Sequence, residues 1–175
     1  MIITVGGSVG SGKSTLARKL AERYDIPYYS VGSIMRNLAK EKKISLLELS
    51  ASAEKDSSVD KELDCKQKDI VAKESGGCVM DSRLGAHILK ADFKIWLDAS
   101  PEVKAQRISG RDGISLKEAR EHIKRREASE RKRYMDFYGI DLTDMSVYDL
   151  IIKTDSNTPD ETLQQCIAAI DVKKL

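Results

Sequence analysis

Residues 2–24, IITVGGSVGSGKSTLARKLAERY, constrain this chain more than any other stretch. Ile2, Ile3, Thr4 and Val5 read as a short strand buried on both faces. A run of glycine and serine that cannot pack a core follows at once. Leu16, Leu20 and Tyr24 then fall on one stripe of a helix. Gly7, Gly12, Lys13 and Ser14 satisfy G-x-x-x-x-G-K-[ST], in which glycines let several backbone N–H groups converge on one set of phosphate oxygens. The positive end of the following helix adds to that field. The loop from Gly7 through Ser8, Val9, Gly10, Ser11, Gly12, Lys13 and Ser14 to Thr15 is therefore expected to bind ATP. Lys13 would reach the β- and γ-phosphates, the Ser14 hydroxyl would ligate Mg²⁺, and Thr15 would meet the α-phosphate. A flexible Gly/Ser turn explains the composition but not the buried strand before it and the amphipathic helix after it.

Further short apolar runs recur at 27–31 (PYYSV), 78–81 (CVMD), 93–99 (FKIWLDA) and 149–154 (DLIIKT). Helical patterns separate them. Ser100 with Pro101, and Thr158 with Pro159, each give the N-cap and first-position proline of a helix start. Alternating strands and helices predict an α/β fold, a three-layer arrangement around a five-stranded parallel sheet. Residues 1–175 form one domain on this reading. Two insertions interrupt it: residues 33–75, helical with turns near Lys43 and Ser57, and residues 110–148, with a charge-dense helix around 115–136. Insertions of that size tend to cover an active site. The first is assigned to acceptor binding and the second, at 110–135, to a lid.

Hydrophobic residues make up 41% of the chain and charged residues 33%, with a formal net charge of +2. That balance points to no nucleic-acid partner and no membrane. The start, MIITVGG, lacks the charged and apolar regions of a secretory signal. Cys65, Cys78 and Cys166 form no CxxC pair and are expected as free thiols in the cytoplasm. His87 and His122 lack metal-ligand spacing.

A phosphate loop alone names no reaction. Asn37 and Asn157 are the only asparagines and neither begins an NKxD guanine-reading motif; no LSGGQ run appears. A small kinase with a second pocket remains. Ser30 and Gly32, at the junction of strand and helix, would line that pocket. Arg36, near the helix start, suits a mononucleotide phosphate. Asp81 ends a strand where a carboxylate can hold the Mg²⁺ hydration shell, and Arg83 follows it. Arg107 and Arg111 lie four residues apart, and the second insertion supplies Arg125, Arg126, Arg131 and Arg133. Glu118, Glu121, Glu127 and Glu130 are interleaved with these, so many of the charges read as i,i+4 pairs on a solvated helix. Two or three of the arginines are expected to surround a transferring phosphoryl group. Asp60, Asp64 and Gln67 lie at helical spacing and could face a base, but ordinary helix surface is the stronger reading.

GGSVGSGKST, YYSVGSIMRNLAKEKKISLLEL, VDKELDCKQKDIV, VMDSRLG, ADFKIWLDASPEVKAQRISGRDGIS and RKRYMDFYGIDLTDMSVYDLIIKTD together resemble nucleoside monophosphate kinases, most closely the archaeal type of cytidylate kinase. The resemblance runs almost end to end. It implies a P-loop kinase fold and transfer from ATP to CMP or dCMP, with Mg²⁺, in the cytoplasm; a monomer is expected. By position, it implies that Arg36 and Arg83 grip the acceptor phosphate, with Ser30 and Gly32 beside them. Arg107 and Arg111 resemble paired arginines at a lid base, and Arg126 falls near an arginine-rich lid segment. The loop 154–157 falls where such kinases contact adenine. The alternatives are a kinase for another monophosphate or a small alcohol, and an ATP-dependent assembly factor.

Overall fold

The computed structural model describes residues 1–173. Five strands form one parallel sheet: β1 (Ile2–Gly7), β2 (Tyr28–Ser30), β3 (Cys78–Asp81), β4 (Phe93–Asp98) and β5 (Leu150–Lys153), in the order β2-β3-β1-β4-β5. Strand β1 is central. Val5 pairs with Asp81 of β3 on one side and with Ile95 of β4 on the other. Two strands lie to each side, so the connecting segments part at the carboxyl end of β1, where open α/β sheets bind ligands.

Helix α1 (Lys13–Tyr24) and helix α8 (Pro159–Lys173) cover one face of the sheet. Ile3, Val5, Val79, Ile95 and Leu97 meet Leu16, Leu20, Cys166 and Ile170 there in the main core. Thr4 points to the opposite face, because side chains alternate along a strand. There it meets α5 (Gly85–Ile88) so closely that a Cβ on Gly85 would sit 3.2 Å from Thr4 Cγ2. Layers on both faces explain why the strand sequences are continuously apolar.

The expected insertions form helices of their own. Helices α2 (Val31–Glu41), α3 (Leu46–Lys55) and α4 (Ser58–Lys73) follow β2 and share a separate apolar cluster of Leu38, Leu49, Ala53, Val59 and Leu63. Lys43, at φ 56°, forms the first turn, and Ser57 is the N-cap of α4. Helices α6 (Pro101–Asp112) and α7 (Leu116–Tyr138) form an antiparallel pair over Val9, Ala105, Ile108, Ala119 and Ile123. Ser100 caps α6 by accepting from the Val103 N–H, and Ser115 with Glu118 makes a capping box at α7. The second strand is shorter than its apolar run, because α2 already begins at Val31. Short helix α5 has no counterpart in the sequence reading. No helix among the described residues is long and apolar enough to cross a membrane.

Gly7 ends β1 with φ +149°, and a Cβ there would lie 2.3 Å from the Leu97 carbonyl oxygen. Gly7→Ala is expected to destabilise the protein by about 2–4 kcal/mol through this collision and the backbone strain. The midpoint of urea unfolding checks it; an unchanged midpoint would mean that β1 and β4 are not in such close contact.

Candidate active site

Beyond Gly7 the loop is held from below. The Ser8 N–H donates to the Leu97 carbonyl at 3.2 Å, and Ser8 Oγ donates to Asp98 at 2.9 Å. Ser11 Oγ donates back to the Ser8 carbonyl at 2.9 Å. Thr154 Oγ1 donates to the Ser11 carbonyl at 3.0 Å, tying the loop to the end of β5. Gly10 and Gly12 have φ values of 82° and 97°, where glycine is strongly favoured. Gly12 is the N-cap of α1, and no side chain caps the helix, so its first amides are left for an anion.

Lys13 Nζ donates to the Ser8 carbonyl at 2.7 Å, arched over the loop. Its pKa is pushed down to about 7, mainly by burial and then by the nearby Arg83 guanidinium. Ser14 Oγ donates to Asp81 Oδ2 at 2.6 Å, and Tyr28 donates to the same oxygen at 3.2 Å. A hydroxyl and a carboxylate oxygen side by side at the helix N-terminus are hard donors suited to Mg²⁺. No cluster of three metal-ligating side chains exists among the described residues. Mg²⁺ bound through phosphates and water needs none.

One continuous cavity of about 640 Å³ runs along the carboxyl edge of the sheet. Val9, Gly10, Ser11, Gly12, Lys13, Ser14 and Thr15 line it, whereas Gly7 and Ser8 lie behind the loop as its support. Arg107, Arg111 and Asn157 line the cavity beside the loop. Arg107 donates to Thr154 Oγ1 at 2.8 Å, to the Thr154 carbonyl at 2.7 Å and to the Gly10 carbonyl at 3.3 Å. Arg111 forms two hydrogen bonds to Asp112 and remains largely exposed.

Ser30, Gly32, Arg36 and Arg83 line the cavity too. Arg36 donates to Ser33 Oγ at 2.8 Å. Arg83 forms a buried ion pair with Glu130, and Arg126 reaches the same carboxylate at 3.4 Å. The site residues expected from the sequence thus converge, apart from Gly7 and Ser8. Of the remaining lid arginines, Arg133 also lines the cavity, whereas Arg125 and Arg131 are exposed and do not.

For other residues of the site the structure reverses the stronger reading of the sequence. Asp60, Asp64 and Gln67 are not helix surface: they are 4%, 6% and 1% exposed and line the cavity. They share one stripe of α4 with Val59 and Leu63, so the polar residues lie inside the buried face. That interleaving was a legible sign, but no partner was visible in the sequence. The partners come from α7. Arg133 pairs with Asp60 at 2.9 Å, and the Tyr138 hydroxyl donates to Asp64. Burial raises the pKa of both carboxyl groups, while Arg133 and Tyr138 respectively oppose the rise. Glu130, expected on a solvated face, is buried against Arg83. Ser129 Oγ also donates to Glu54 of α3 at 2.6 Å, a further contact between the two insertions.

A bound triphosphate would restore the charge of Lys13, because its anionic oxygens stabilise the ammonium. At about pH 8, ATP binding is therefore expected to take up close to one proton per site. Calorimetry in two buffers of different ionisation enthalpy measures this uptake, which Lys13→Met should abolish. Buffer-independent heats in the unaltered protein would refute it.

A family model for the cytidylate kinase-like family matches residues 2–156. A protein named cytidylate kinase from Pyrococcus horikoshii is 45% identical, with 98% of this chain and 88% of that protein covered. One of the same name from Methanobrevibacter smithii is 44% identical, with 98% and 99% covered. Among solved structures, a shikimate kinase from Bacteroides thetaiotaomicron superposes with a TM-score of 0.63 at 13% identity, covering 98% of both chains. The last similarity concerns the fold alone.

Proposed function

The chain belongs to the cytidylate kinase-like family, and we propose that it transfers the γ-phosphate of ATP to CMP or dCMP. The products are ADP and CDP or dCDP. The observation that carries this reading is one cavity joining the glycine loop to a basic wall of Arg36, Arg83 and Arg126. A donor triphosphate and an acceptor phosphate have adjoining places in it.

The loop amides and Lys13 hold the β- and γ-phosphates, and Arg107, Arg111 and the loop 154–157 flank the rest of ATP. Ser14 and Asp81 would hold Mg²⁺, which when bound neutralises phosphate charge. Ser30, Gly32, Arg36, Arg83 and Arg126 receive CMP. A phosphate there competes with Glu130 for Arg83 and Arg126, so the arginines pass from one anion to another. An oxygen of the CMP phosphate attacks the γ-phosphorus in line while the bond to the β-phosphate oxygen breaks and ADP leaves. That oxygen is already ionised, so no side chain need remove a proton. The protein contributes alignment and cationic surroundings.

Residues 33–75 serve as the acceptor-binding part of the single domain and 110–135 as its lid. Their clasp through Asp60–Arg133 and Glu54–Ser129 supports a covered site from which water is excluded. Cys65, Cys78 and Cys166 are free thiols, in keeping with the cytoplasm.

A panel of CMP, dCMP, UMP and AMP with radiolabelled ATP tests the reading; CMP and dCMP are expected to give diphosphates fastest. Failure to convert any monophosphate would overturn it. Lys13→Ala is expected to lower kcat by about 10²–10³-fold while the protein remains folded. Arg36→Ala should raise the KM for CMP and leave that for ATP unchanged; a change confined to ATP would place Arg36 at the wrong end.

A further inference from the structure

Gln67 is a glutamine almost without solvent exposure on a cavity wall, and its amide is used on one side only. Its Nε2 donates to Asp64 Oδ1 at 3.3 Å, while its Oε1 has no hydrogen-bond donor among the described residues. An amide can turn over and exchange its oxygen and nitrogen, so orientation follows from the neighbours. Here it is set by Asp64. The Tyr138 hydroxyl donates to the other oxygen of Asp64, which leaves Asp64 Oδ1 as an acceptor that only the NH₂ side of Gln67 can satisfy. The oxygen of Gln67 is thereby kept as an unpaired acceptor. A buried acceptor left unmatched is costly, so such an atom points to a ligand donor.

We propose that Gln67 Oε1 accepts a hydrogen bond from the exocyclic amino group of the acceptor's base, and so selects cytosine over uracil. This deepens the acceptor reading above and rests on it. Cytosine presents an NH₂ at the position where uracil presents a carbonyl oxygen. Against Gln67 Oε1, the first completes a hydrogen bond and the second sets two acceptors face to face. Arg133 complements this arrangement. Its Nη1 is engaged with Asp60, while its buried Nε has no acceptor among the described residues, leaving a donor for a ring nitrogen or carbonyl of the same base. Asp64 and Tyr138 are positioning residues that hold the amide in one sense.

The test compares kcat/KM for CMP and UMP in three forms of the full chain. Gln67→Met is expected to reduce the CMP value about 10- to 100-fold, with a much smaller change for UMP and an unchanged KM for ATP. Asp64→Asn provides an NH₂ where Gln67 now meets an acceptor, so the Gln67 amide can turn over and present its own NH₂ to uracil. The CMP-to-UMP ratio is expected to fall at least about tenfold in that form, with UMP gaining in absolute kcat/KM. A melting temperature for each form separates selectivity from unfolding, and Asp64→Asn decides the matter if Gln67→Met fails to fold. Equal losses for both substrates, or an unchanged ratio in both variants, would overturn the role of Gln67 and leave the kinase reading standing. An unaltered protein that phosphorylates UMP as well as CMP would also overturn it. One that phosphorylates no monophosphate would remove the acceptor reading itself.

Discussion

Close contact between the end of β1 and the backbone of β4 sets up the rest of the site. Gly7 lies under the Leu97 carbonyl with no room for a side chain, and the Ser8 N–H bonds to that same oxygen. With this anchor in place, the chain can turn through Gly10 and Gly12 and enter α1 with its first amides unpaired. Lys13 folds back onto Ser8, and Ser14 reaches Asp81 across the parallel pairing of β1 with β3. Shifting the register of β1 by one residue would reverse its buried faces and displace every one of these groups.

The basic wall raises a second physical problem, since Lys13, Arg83, Arg126 and Arg133 converge around one cavity. Uncompensated cations at partly buried positions are costly. Two acids relieve the strain: Glu130 lies between Arg83 and Arg126, and Asp60 takes Arg133. Lys13 has no ion pair among the described residues; it donates to a carbonyl, and its depressed pKa reflects that compensation is incomplete there. The site is thus arranged to be least comfortable where a polyphosphate would provide the missing charge. On the proposed reading, Glu130 occupies the place of ligand phosphate, while Asp60 helps hold the two insertions together.

Much of this could be read from residue order. The five strands follow from short apolar runs, and the helix starts at Ser100 and Thr158 follow from cap chemistry. The phosphate loop and Asp81 follow from motifs whose spacing is local. The local pattern misleads where the relevant neighbour lies far along the chain. Polar side chains on a helix ordinarily face water, but Arg133 and Tyr138, the partners of Asp60 and Asp64, lie more than seventy residues away. Glu130 looked like one of several acids pairing along α7, yet Arg83, at the end of β3, draws it inward.

By itself the sequence determined the periodicities, the caps and the glycine loop, because each depends on contacts within a few residues and on backbone geometry intrinsic to them. Tertiary structure alone decided which polar residues would be buried and which way the Gln67 amide faces. Those outcomes depend on the packing of α7 against α4, and no local pattern specifies a pairing between segments separated by so much chain.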